Sequence, residues 1–346
     1  MSQKISVRTI HETQYDQWSG FVATCPSGSI YALPDYLEIL CEATGGSYSI
    51  LGIYREDELI GGCPVYLTRS RYGIISAARP LLAYNGPVIK DHGIGHHRHS
   101  EQASALLALA SCLRELDCVD LRLRIRSPLT DMRPFLTAGW QVRPVYTYLV
   151  PLGDLEQAWQ RTDRNFKRLV RRGQSAGLGQ TDDDDFDSLY RMHEELHKRK
   201  GLPLYLGEFA FRRYFEKLRA RHLCRLFIAR LPNGEAIATQ LVLLGPNPVC
   251  HNACAASAEK YMHLGSNPFL RWKSIEALNA LGLQANDLTG ASLDNGVARF
   301  KSQLGGELQI NWAVTRPIKW RFHLKNQYLQ LMIKTKHLGR NLNLIR

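Results

Sequence analysis

The sequence predicts an α+β protein of two similar halves, each a mixed central sheet flanked by helices. Its 346 residues suffice for two domains, and 45% hydrophobic with 22% charged residues is the composition of a globular chain. The same order of elements can be read in each half: a helix, an antiparallel strand meander, a long helix, a strand, a short helix and a last strand. Matching elements recur at similar offsets, with the long helix starting near 100 and 268 and the strand after it near 118 and 284.

In the first half a helix is expected over 31–43, because Pro34 and Asp35 suit its first turn and Gly45-Gly46 stops it. Strands follow at 48–54 and 59–67 around the charged turn 55–58, and another pair brackets Arg79-Pro80 and ends near Val88. An Ala/Leu helix at 100–116, a strand at 118–125, a short helix at 130–138 and a strand at 141–150 complete it. The second half offers helices at 163–176, 186–200 and 207–220, then strands at 223–231 and 236–244 joined through Pro232-Asn233-Gly234. A strand at 249–257, a helix at 268–281, a strand at 284–289, a helix at 296–304 and a strand at 307–315 follow.

The longest apolar runs are far shorter than the ~20 residues that cross a bilayer, and no secretory signal is visible, so a cytoplasmic protein is expected. Eight cysteines form no CxxC pair and sit in apolar segments, which argues against metal clusters and disulfides. The His-rich loop 91–99 holds metal-ligating side chains in a Gly-containing stretch whose spacing fixes no ligand geometry, so no metal is assigned.

The formal charge is +12, and its placement is informative. Residues 311–346 carry eight Lys or Arg, among them Lys319, Arg321 and Lys325, and no acid. A helix capped at Thr162 or Asp163 places Arg164, Arg168, Arg171 and Arg172 on one face, suited to phosphates unless the acidic run 182–185 balances it. An anionic partner is expected: nucleic acid, a nucleotide-linked substrate or an anionic membrane surface.

In a mixed sheet of this kind a ligand is expected beside the start of the long helix, where the sheet changes its connectivity. Tyr261, Ser266 and Asn267 stand there, Ser266 or Asn267 as cap and Pro268 in the first turn. The helix that follows strand 284–289 brings Arg299, Phe300 and Lys301 towards the same cleft, where an ammonium can neutralise a phosphate or an oxyanion.

The run Gly265-Ser266-Asn267-Pro268, Trp272, Asp287-Leu288-Thr289-Gly290 and Arg299-Phe300-Lys301 with Leu304-Gly305-Gly306 resembles the FemAB-like (FemXAB) aminoacyltransferases and BioF2-like acetyltransferases of the GNAT superfamily. The similarity covers about 163–307, with Leu288-Thr289 and Leu304 departing from the usual motif residues. The first half matches in layout, in Tyr31, Pro34-Asp35-Tyr36 and in Tyr84 to Pro87. The resemblance implies two tandem GNAT-like domains, 1–149 and 150–316, with the segment 317–346 returning to the first.

It further implies transfer of an aminoacyl group from aminoacyl-tRNA to an amine on a nucleotide- or lipid-linked peptidoglycan precursor, by a monomer without a cofactor that can touch the inner membrane face. By the same resemblance Lys301 supports the reacting ester, Phe300 packs beside it, Arg199 holds the nucleotide-linked substrate, and Tyr261 with Tyr36 and Tyr84 lines the cleft. Asp287 is the one acid of the motif, suited to orienting the strand end or to accepting a proton. The second reading is an acyl-CoA-dependent N-acyltransferase. Residues 261–267 do not fit a pyrophosphate-binding loop, whereas 90–95 has its glycines but not its leading residue.

Overall fold

In the computed structural model, which describes residues 5–71, 73–91, 96–290 and 296–317, strands and helices alternate along both halves. The first half runs β1 (Ile5–Thr9), α1 (Tyr15–Thr24), α2 (Pro34–Thr44), β2 (Ser47–Arg55), β3 (Glu58–Ser70), β4 (Gly73–Ser76), β5 (Val88–Ile89), α3 (His96–Glu115), β6 (Asp120–Ile125), α4 (Arg133–Thr137) and β7 (Gln141–Pro151). The second runs α5 (Leu155–Arg161), α6 (Arg164–Ser175), β8 (Gly179–Asp182), α7 (Phe186–Lys200), α8 (Glu208–Ala220), β9 (Cys224–Arg230), β10 (Ala236–Leu243), β11 (Val249–Ser257), α9 (Ser266–Ala280), β12 (Ala285–Asp287), α10 (Gly296–Ser302) and β13 (Glu307–Thr315). The His-rich loop at 92–95 and the basic segment from 318, with Lys319, Arg321 and Lys325, lie outside the described residues.

Each half repeats one plan. β2–β3–β4 and β9–β10–β11 are antiparallel meanders, and each last strand pairs in parallel with the strand beyond the long helix, β4 with β6 and β11 with β12. The two plans fuse into one 13-stranded sheet of order β1-β2-β3-β4-β6-β13-β7-β12-β11-β10-β9-β8, with β5 alongside β3. At the seam the halves exchange strands. β13 from the second half pairs with β6 and β7 of the first, while β7 also pairs with β12 of the second. Alternating strand patterns are indifferent to which partner supplies the next strand, so this interleaving is invisible in the sequence.

Three apolar cores cover the sheet. One lies under α3 and α4 around Leu109, Leu123 and Phe135, and another under α6 and α9 around Phe166, Phe269 and Leu278. The third joins the halves, packing Trp18, Tyr36 and Leu40 with Phe211, Tyr214 and Leu241. Its rim carries ion pairs between α8 and α2, including Arg221 to Asp35 at 3.3 Å and to Glu38 at 2.8 Å.

The helices end where their sequences say. Gly45 and Gly201 follow α2 and α7 at φ 65° and 61°, the left-handed conformation that glycine adopts most easily. Asp163 caps α6 by accepting from the backbone N–H groups of Asn165 and Phe166 at 2.8 and 3.2 Å.

Arg316, counted in the sequence among cations free for a polyanion, is instead buried just past β13. Its guanidinium donates to the carbonyls of Leu113, Arg114, Leu116 and Cys118 at the end of α3. A cation there satisfies carbonyls that have no partner within the helix. Arg316→Met is expected to lower the free energy of unfolding by about 1–3 kcal/mol in chemical denaturation, since it strands buried acceptors; an unchanged midpoint and slope would contradict this.

Candidate functional site

The parallel pair β11–β12 lasts only from Val249–His251 against Ala285–Asp287. β11 then continues to Ser257 paired with β10 alone, while β12 ends and the chain turns away through Thr289 at φ 47° and Gly290 at φ 76°. A β-branched residue at positive φ is strained, and here several bonds hold it. The Thr289 N–H donates to Asp287 Oδ1 at 2.8 Å, and its hydroxyl donates to the Asn252 carbonyl at 2.9 Å.

The parted strands open into a crevice of about 270 Å³ lined by both halves. Asn252, Ala253, Thr289 and Gly290 form the side from the second half. The loop 78–84, Arg124 and Tyr146 close it from the first half, with Asn311 of β13 beside them and Tyr31 and Tyr205 along the wall.

Below the crevice lies Asp287, 1% exposed. Tyr84, which lines the crevice, donates its hydroxyl to Oδ2 at 2.8 Å, and the Thr147 hydroxyl donates to Oδ1 at 2.6 Å. Arg126 Nε stands 3.9 Å and His251 Nδ1 3.6 Å from Oδ2, electrostatic contacts longer than a hydrogen bond. Asn311 donates to the Tyr84 hydroxyl at 3.0 Å and accepts from the Ser127 N–H at 2.8 Å, fixing its own amide and the tyrosine together. The rings of Tyr31 and Tyr84 pack edge-on against His251 at centroid distances of 5.1 and 5.9 Å.

Burial alone would raise the Asp287 pKa, yet its contacts with His251, Arg126 and Thr147 hold it well below the usual carboxylate range. Burial lowers the pKa of His251, against the opposing pull of Asp287. Burial pushes the Tyr84 phenol well up, and the carboxylate beside it adds to this. The carboxylate fixes the Tyr84 hydroxyl through their hydrogen bond.

Lys301 lies behind the crevice wall and is not part of the lining. Its ammonium donates to the carbonyls of Leu288, Thr289 and Gly290, the last two at 2.6 and 2.8 Å. Three acceptors engage all three of its protons, which leaves none for a substrate oxyanion in this arrangement and makes the lysine a clamp on the strand end. Phe300 packs beside it against Phe166 at 6.0 Å, and Arg299 is exposed on the same helix.

The other expected site residues lie apart from the crevice lining. Arg199 pairs with Glu259 at 3.0 Å, and the Tyr261 hydroxyl donates to Glu235 at 2.7 Å. Tyr36 is buried between the Tyr214 hydroxyl, at 2.8 Å, and the Leu81 carbonyl. Ser266 is fully buried at the start of α9 and Asn267 partly so, because α6 closes over that end: a Cβ on Gly265 would sit 2.3 Å from the Leu169 carbonyl, and Arg172 donates to the His263 carbonyl at 3.1 Å. Sequence reasoning passed over Arg126, Thr147, His251 and Asn311. The polar pair His251-Asn252 inside an otherwise apolar strand was the available signal.

The acidic run does not balance α6. Asp182 pairs with Arg219 and Arg225, Asp184 with Arg219, and Asp183 and Asp185 with Arg230. On α6, Arg168 donates to Asn165 at 2.6 Å, Arg164 and Arg171 are exposed, and no acidic partner is found for any of these arginines among the described residues.

Burial, with Arg271 nearby as a like charge and Asp287 opposing, lowers the Lys301 pKa from 10.5 to about 8. Between those values the unfolded chain holds a proton that the folded chain has released, so this group makes stability rise with pH across the window. The rise is expected to be about 1–3 kcal/mol in wild type and absent in Lys301→Arg, which does not titrate there. Parallel denaturation profiles for the two proteins between about pH 7.5 and pH 10 would refute it.

Residues 160–302 match the family described as acetyltransferase (GNAT) domain. No curated protein matches the chain by sequence. Among solved structures it is similar to FemX, at 12% identity and a TM-score of 0.68 over 88% of this chain and 96% of that one. It also resembles the C-terminal domain of a putative lysylphosphatidylglycerol synthetase from Agrobacterium fabrum (11% identity, TM-score 0.57, 89% and 93% covered). A third is a tandem GNAT protein from the clavulanic acid biosynthesis pathway (11% identity, TM-score 0.55, 91% and 99% covered). With its duplicated plan, the chain has a FemX-like tandem fold, and its second half carries the match to the acetyltransferase (GNAT) domain family.

Proposed function

We propose that the crevice between β11 and β12 transfers an aminoacyl group from aminoacyl-tRNA to an amine, on a nucleotide- or lipid-linked peptidoglycan precursor. The observation that carries this reading is a crevice built by both halves, with Tyr84 poised on a buried carboxylate at its floor. Aminolysis of an ester needs the two substrates aligned, a proton removed and a developing oxyanion stabilised. The splayed strands supply the alignment, since β11 beyond His251 has no strand partner on the β12 side among the described residues. Tyr84, held by Asp287 and Asn311, is the group best placed to touch the reacting atoms. Residues 150–316 then bring the strand opening, and residues 1–149 bring Tyr84 and the facing wall.

Two features favour a tRNA donor over acyl-CoA. The α6 arginines Arg164, Arg168 and Arg171 form a basic face without acidic partners among the described residues, suited to a phosphate backbone. The start of α9, where a pyrophosphate would meet free backbone N–H groups, is closed by α6. The reading places the protein in the cytoplasm, at the inner membrane face when the acceptor is lipid-linked, working as a monomer without a cofactor.

The test offers the pure protein labelled aminoacyl-tRNA and, separately, labelled acyl-CoA, with cell-wall precursors as acceptors. Label is expected to move from tRNA, and transfer from CoA alone would overturn the reading. Binding of tRNA is expected to weaken steeply with salt, and Arg164→Gln with Arg171→Gln to reduce the slope of log K against log salt by about 1 for each lost phosphate contact. A slope equal to that of wild type would remove α6 from the interface.

A further inference from the structure

A cleft whose charged lining is of one sign focuses its field on ligands of the other. The charged residues that line the crevice are Arg79 and Arg124, and no carboxylate lines it among the described residues. Asp287 lies beneath, already engaged by Tyr84, Thr147 and the Thr289 N–H. Both arginines stand on fixed backbone. Arg79 opens the turn 79–82, in which its N–H donates to the Leu82 carbonyl at 3.1 Å and the Leu82 N–H donates back at 2.9 Å. Pro80 and Leu81 are the central residues, and Leu81 sits at φ 69°, a conformation that such a turn ordinarily reserves for glycine. The Tyr36 hydroxyl, itself 2.8 Å from that of Tyr214, donates to the Leu81 carbonyl and holds the strained residue in place. Arg124, on β6, is stitched to the same loop: its N–H donates to the Asn85 side chain at 2.7 Å, and its carbonyl accepts from the Asn85 N–H at 3.2 Å. Ala313 of β13 pairs with Arg124 on one side and Arg143 of β7 on the other, so two cations share one row of the sheet with an alanine between them. Burial lowers the Arg124 pKa, with Tyr84 opposing and Arg143 adding a like charge. In Arg79, Nη1 donates to the Tyr66 hydroxyl at 2.8 Å, and Nε is buried without a partner among the described residues.

We propose that Arg79 and Arg124 together bind an anionic group, phosphate or carboxylate, of the substrate that enters the crevice. A guanidinium suits such a group because it offers paired N–H donors to two oxygens at once. The pinned turn and the loop-to-strand bonds fix both backbones before a ligand arrives, which lowers the ordering cost of binding. The proposal rests on the crevice being the transfer site and adds the charge class that it recognises and the residues that recognise it. It also gives these two arginines a task separate from that of the α6 face, which is not part of the lining.

The test titrates the full chain by calorimetry with inorganic phosphate and, separately, with acetate. Saturable binding is expected, and the tighter anion assigns a phosphate-bearing or a carboxylate-bearing substrate. Arg79→Gln and Arg124→Gln are each expected to weaken binding of that anion at least about tenfold, the scale of a lost charge-assisted hydrogen bond. A second readout needs no variant: phenylglyoxal labelling of Arg79 and Arg124 in the wild-type chain, mapped by mass spectrometry, should fall as the anion saturates. No saturable binding of either anion, undiminished binding in both variants, or labelling that ignores the anion would overturn the proposal. Donor labelling is independent of this: transfer from CoA alone with intact anion binding sinks only the tRNA reading, and tRNA transfer without anion binding sinks only the role of the two arginines.

Discussion

One ionised carboxylate at the seam of the two halves organises the rest. Asp287 ends β12 in the second half, and its oxygens are held by Tyr84 and Thr147 from the first half and by the backbone of Thr289 from its own. A charge this buried is tolerated only when donors surround it, so the halves must dock in one relation for it to be satisfied. The strand exchange of β7 and β13 gives the backbone version of the same constraint. The crevice inherits its shape from both: the wall residues Tyr84 and Thr289 are also the residues that hold the carboxylate.

Strain and electrostatics meet at the strand end. Thr289 sits at positive φ because its N–H must reach Asp287 and its hydroxyl must reach Asn252. Lys301 then collects the carbonyls that this turn leaves pointing the same way. The lysine shapes the wall from behind, while Tyr84 and, from β11, Asn252 and Ala253 line the crevice. Positive charge is likewise sorted by partner. The α8 and sheet arginines neutralise the acidic run, Arg316 closes α3, and the α6 face and Arg271 are left without acidic partners among the described residues.

Much of the fold was legible because its elements carry their own punctuation. Pro34 and Gly45 bound α2, Gly201 ends α7, and the Asn233-Gly234 turn joins β9 to β10. The repeat in the two halves followed from those elements alone. Short or polar elements escaped, such as β8 with its sequence Gly179–Asp182 and the amphipathic α1, since neither has a run of periodic apolar residues long enough to stand out. Of the site, Asp287, Tyr84 and Lys301 were readable as residue types, but not what they do. That Lys301 faces three carbonyls, and that Tyr84 reaches across the seam, depends on contacts 13 and 203 residues apart, which no local pattern encodes. Arg126, Thr147 and Asn311 were missed for the same reason: each is an ordinary polar residue in a strand or at its end until the halves close.

The central claim is that Tyr84 and Asp287 act as one unit across the seam. A double-mutant cycle of Tyr84→Phe and Asp287→Asn, read by chemical denaturation, tests it directly. The account predicts that the two losses fall short of additivity by about 1–3 kcal/mol, the size of a buried charge-assisted hydrogen bond. Losses that add within about 0.3–0.5 kcal/mol would show that the two side chains are uncoupled and would contradict the account.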